Sequence, residues 1–187
     1  MATRVSLLTA AILAATALPV PAAQFEQSGS WVFNSTAVAA DGDRMLSSCT
    51  ASTVSAEGTE LSLIAEPLVE TGFDARMVLT NKAWGLGDGP LRVRFDIGAD
   101  HWVLPGQGAG QAVEISWTGD AGFVTFVEDL ASSSFAGLTG RDGAAIAQFS
   151  LKGSRGAIEA MKTCVEAQIG QPLGEALATA PGAGNPF

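Results

Sequence analysis

His101 is the sole histidine of the chain, so a general base or a histidine-bearing metal site would have to be built around it. Asp100 precedes it directly, but neighbouring side chains in an extended segment point to opposite faces. That leaves Asp96, or a carboxylate from another strand, to orient the imidazole. A hydrolase would also need a placed nucleophile, and no Gly-x-Ser-x-Gly elbow is present to set a serine on a strained turn. The residues therefore point to an exposed histidine at a strand edge rather than to a catalytic triad. Two acidic groupings meet the same test. Asp41-Gly42-Asp43 has Met45 at the next alternate position and no glutamate to complete a calcium loop, so it reads as a turn. Glu128-Asp129 could flank a sugar bond as a carboxylate pair, but tyrosine is absent from the chain, and the pair reads better as the polar start of a helical turn.

The glycine-rich stretches 84–90 and 105–110 resemble phosphate-cradling loops in composition only. Each precedes an expected strand, whereas a phosphate cradle needs a helix N-terminus behind it. They read as long flexible connections at one end of a β-domain, where binding surfaces tend to sit. Trp84 and Trp102 border these stretches, and with His101 they are the candidate contact residues for a protein or carbohydrate. Trp31 and Trp117 fall in alternating segments and are expected in the core. Two cysteines and one histidine give no basis for a structural zinc site, and nothing in the sequence calls for a cofactor.

These residues must be positioned by short extended elements. Period-two alternation marks strands at 30–34, 46–54, 60–65, 74–80, 91–97, 111–117 and 144–151. The clearest is 91–97, where apolar residues alternate with Arg92, Arg94 and Asp96, as on a strand with one wet face. Residues 123–127 read as a returning strand, and 128–135 as a short helix or the approach to a hairpin turned at 141–143. Residues 148–164 read as a strand, a tight turn and a helix. Ser154 is placed to cap that helix, and Ile158, Met161, Val165 and Ile169 form one stripe. Many short strands closed by one helix predict a mainly β fold, an antiparallel β-sandwich or flattened barrel with one C-terminal α-helix.

Residues 1–23 combine Arg4, an apolar run and the small exit Pro21-Ala22-Ala23, the pattern of a signal peptide cleaved after Ala22 or Ala23. The run is shorter than the roughly 20 residues of a spanning helix. The expected organisation is a leader over 1–23, a single β-sandwich-like domain over 24–169 and a flexible tail over 170–187. The expected location is the periplasm or the exterior. The formal charge of −9 makes nucleic acid and anionic membrane poor partners. Cys49 and Cys164 then read either as one disulfide or as two reduced, buried thiols. A bridge would pin the closing helix onto the start of the sheet, stabilising the fold by about 4–5 kcal/mol in the chain-entropy description.

An exported leader, an early tryptophan strand, Cys49-Thr50-Ala51, alternating strands and a closing Phe149-Ser-Leu-Lys-Gly-Ser154 with Ala157 soon after together resemble the invasion-associated locus B family. The resemblance covers 31–164. It implies a small periplasmic or surface β-sandwich protein without established catalysis, some relatives being linked to host-cell entry. The chain departs from that pattern in lacking further cysteines near the middle of the sheet and in carrying one at the end of its last helix. The functional expectation is a non-enzymatic exported protein that binds another protein in envelope or host interaction. The competing expectation is an inhibitor or immunity-type protein that blocks an exported hydrolase.

Overall fold

Among the described residues, alternation of buried and exposed side chains runs along most of the strands, which form a single ten-stranded antiparallel sheet. The computed structural model describes residues 24–41, 44–68, 73–117, 122–140, 142–173 and 175. The expected leader, most of the expected tail, the turn centre at 42–43, the turn 118–121 and Arg141 lie outside them. The strands are β1 (Gln24–Ser28), β2 (Trp31–Asp41), β3 (Arg44–Val54), β4 (Glu60–Pro67), β5 (Phe73–Thr80), β6 (Leu86–Ile97), β7 (Asp100–Gly110), β8 (Ala112–Ser116), β9 (Phe135–Thr139) and β10 (Ala145–Ser150). Helix α1 (Gly122–Ser132) lies between β8 and β9, and α2 (Ser154–Ile169) follows β10. The spatial order is β1-β2-β3-β4-β5-β8-β7-β6-β9-β10.

The sheet folds over as a β-sandwich or flattened barrel without closing, and at the seam the end of β10 meets the turn between β1 and β2. Across this seam the Ser30 N–H bonds the Lys152 carbonyl at 3.1 Å, and the Trp31 indole N–H bonds the Ser150 carbonyl at 3.0 Å. The Gln148 N–H reaches the Glu57 carboxylate at 3.3 Å. That carboxyl is held below the usual glutamate range, chiefly by its own backbone N–H and then by Ser55 and Gln148.

The inward faces of the strands and both helices share one core. Trp31, Leu61, Leu63, Met77, Phe95, Ile115, Phe126 and Phe149 are all buried in it, and Trp117 joins them as expected. Cys49 and Cys164 are bridged across 115 positions of sequence, with Cα atoms 6.1 Å apart. The side-chain amide of Gln168 braces that junction, accepting from the Ser47 N–H at 2.6 Å and donating to the Ser47 carbonyl at 3.1 Å.

Four sequence expectations are corrected. Residues 123–127 are not a returning strand but part of α1, because Phe123, Phe126, Val127 and Leu130 lie at helical spacing and are all buried. The two glycine-rich stretches are not loops. Most of the first and all of the second belong to β6 and β7, which pair antiparallel from Leu86↔Gly110 to Ile97↔Asp100. Ser154 does not cap α2. Gly153 takes the cap position in the left-handed region (φ 93°) without a side-chain bond, and the buried Ser154 hydroxyl donates to the Leu130 carbonyl at 2.9 Å. Finally, the body continues past Ile169, since Leu173 is buried and its N–H bonds Glu166 Oε1 at 3.0 Å.

Candidate functional site

The three candidate contact residues do not form one surface. His101 and Trp102 are neighbours on β7, so their side chains leave the sheet on opposite faces. Trp102 turns inward, where its indole N–H donates to Asp129 Oδ2 at 2.9 Å and its ring meets Phe126 edge-on with centroids 5.3 Å apart. Trp84 lies just before β6, half-buried against the core, at the far end of the β6–β7 hairpin from His101 and Trp102. Only His101 stands on the outer face.

The register places His101 directly opposite Asp96, and His101 Nδ1 approaches Asp96 Oδ1 at 2.6 Å. The carboxylate can only accept, so the imidazole carries its proton on Nδ1. Arg94 donates to the same oxygen through Nε at 3.1 Å and Nη2 at 3.0 Å. The bond from His101 outweighs partial desolvation and, with Arg94 adding to it, keeps the Asp96 carboxyl below the usual aspartate range. Among the described residues no serine hydroxyl bonds the other imidazole nitrogen. The cluster is a surface ion-pair group, with the histidine side chain 62% exposed.

Along the same outer face the sheet is hollowed into a trough of about 1070 Å³ that crosses β8, β7, β6 and β9. Pro90 on β6 and Val103 and Pro105 on β7 supply exposed apolar surface, and Val103 is 56% exposed. Arg92 and Arg94 enter it from β6, and Gln107, Glu114 and Ser116 line it from β7 and β8. No family model, curated protein or solved structure matches the chain. The site is therefore read from its own residues.

Arg92, Val103 and Glu114 were not singled out by motif. The signal for Arg92 was available, since two arginines on one face of a strand are conspicuous in so acidic a chain. Glu114 could not be joined to Arg92 from sequence, because the neighbourhood β6-β7-β8 is a property of the assembled sheet. Among the described residues no cluster of three metal-ligating side chains is present.

Proposed function

We propose that the chain is a non-enzymatic exported protein, of the periplasm or cell surface, that binds another protein in envelope or host interaction. The trough on β6–β8 is the contact face. The carrying observation is the concavity itself, where exposed Val103 and Pro105 on β7 share one trough with Arg92 and Arg94 on β6 and Glu114 on β8. Concave surfaces that combine apolar area with a few convergent polar groups are the usual form of a binding site. An isolated exposed valine on a flat face would mean little.

The disulfide supports an oxidising compartment, and the apolar leader and the resemblance to the invasion-associated locus B family support export. The sharing of Asp96 between His101 and Arg94 supports a surface hydrogen-bonding role for the histidine over proton transfer. With Trp102 turned inward, partner contact shifts from the tryptophan-bordered ends of the hairpin to its outer face.

The test is affinity capture from envelope extract with wild type, Val103→Glu and Val54→Glu. Val54 is 61% exposed on β3, away from the trough. A partner retained by wild type and Val54→Glu but lost by Val103→Glu is expected. Equal recovery by all three would contradict the assignment of the face. A captured hydrolase whose turnover falls on binding would make the chain an inhibitor.

A further inference from the structure

Arg92 and Glu114 make no hydrogen bond or ion pair with any described residue, although both are exposed and line the same concavity. Among the described residues, two further strand arginines are engaged. Arg94 is held by Asp96 at 3.0 Å, and Arg76 is held by Glu66 at 2.9 Å and Asp74 at 3.2 Å.

Sheet geometry explains why Arg92 and Glu114 do not neutralise one another. Strand β7 lies between their strands, Arg92 pairs with Pro105, and Glu114 pairs with Gln107. Two strand spacings across and two residues along put their Cα atoms roughly 12 Å apart. Their charges therefore stand on either side of β7, with Pro105 and Gln107 between them, instead of meeting.

Resting on the reading of this face as a protein contact, we propose that its occupant is an extended segment of the partner in which acidic and basic side chains alternate. The acid pairs with Arg92 and the base with Glu114. Neighbouring side chains of an extended chain project to opposite sides, so an acidic residue followed by a basic one reaches both charges while its backbone lies over Pro105 and Gln107. A purely anionic polymer would suit Arg92 but meet repulsion from Glu114. A saccharide would find no aromatic ring among the lining residues to stack against.

The experiment measures fluorescence anisotropy of a labelled, end-capped peptide of alternating glutamate and lysine against the full-length protein. Parallel probes are an all-glutamine peptide and a sulfated oligosaccharide. Binding of the charged peptide is expected, weakening at raised salt, with a loss of roughly tenfold or more in Arg92→Glu and in Glu114→Lys. The double reversal Arg92→Glu with Glu114→Lys should recover binding, because the segment can dock with its charges exchanged, a rescue that damage to the fold would not produce. Equal binding of the glutamine peptide, indifferent to the reversals, would overturn the charge assignment and leave the face as a contact surface. Binding of the sulfated oligosaccharide alone would overturn the peptide class. If no probe binds while Val103→Glu still releases the captured partner, this proposal fails and the contact face stands. Indifference of capture to Val103→Glu removes the face itself.

Discussion

The two helices close the same curled sheet by different means. Helix α2 is fastened at both ends. Its last turns carry the bridge from Cys164 to Cys49 and the clamp of Gln168 on Ser47. Its first turn follows the seam, where a Cβ at Gly153 would run into the Ser28 carbonyl and one at Gly29 into the Lys152 carbonyl. Helix α1 has no covalent tie and is held by rings. Phe126 lies 5.7 Å from Phe95 and 5.3 Å from both Trp102 and Trp117, centroid to centroid. A sheet whose end strands do not pair can thus be shut by a bolt on one side and by dense aromatic packing on the other. The Ser154 to Leu130 bond joins the two devices.

The contrast is broken most severely by removing the bolt. Replacing both cysteines by serine should lower unfolding free energy by about 4–5 kcal/mol in the chain-entropy description, read from denaturant midpoints. A loss below about 1 kcal/mol would mean that packing alone seats α2. Phe126→Ala should cost about 3–5 kcal/mol and loosen α1 before α2. Hydrogen exchange should then show lost protection over 122–132 while 154–169 stays protected. Uniform loss over both helices would make them one cooperative unit.

The difference between the helices also explains what could be read beforehand. Helix α2 was legible because Ile158, Met161 and Val165 repeat at helical spacing among polar residues, and all three are buried. The first half of α1 was not, although a short helix was expected from Glu128, because Phe123-Val-Thr-Phe-Val127 is rich in residues that favour strands, and burial of one face overrode that preference. The glycine-rich half of the β6–β7 hairpin was missed for the opposite reason, since glycine disfavours strands locally. Here it is used for closeness. A Cβ at Gly106 would lie 3.0 Å from the Glu114 carbonyl oxygen, and one at Gly108 would lie 2.8 Å from Leu91 Cδ2. The wet face bearing Arg92, Arg94 and Asp96 was visible as alternation, as was Asp96 as the acid able to orient His101. The trough was not, because its members come from strands adjacent only in the folded sheet.

The smallest expected effect sharpens the comparison at the seam. Glu57 carries a carboxyl depressed by hydrogen bonds in the folded state, so folding favours its ionised form. The stabilisation is complete above the ordinary value near 4.5 and is lost as pH falls through the depressed value. Asp96 acts in the same direction from its ordinary value near 3.8. Melting temperature should therefore fall on acidification below these values, and Glu57→Gln should flatten part of that fall. An unchanged slope in Glu57→Gln would remove the Glu57 to Gln148 contact from the closure of the seam.

The assignment of the outer face of β6–β8 as the contact surface is tested most directly by site-specific photocrosslinking. A photoreactive side chain at Val103 should yield a defined covalent adduct with a partner protein in the envelope, and the same group at Val54 should yield none. Adducts from Val54 but not from Val103, or from neither position under conditions where the partner is captured, would contradict it.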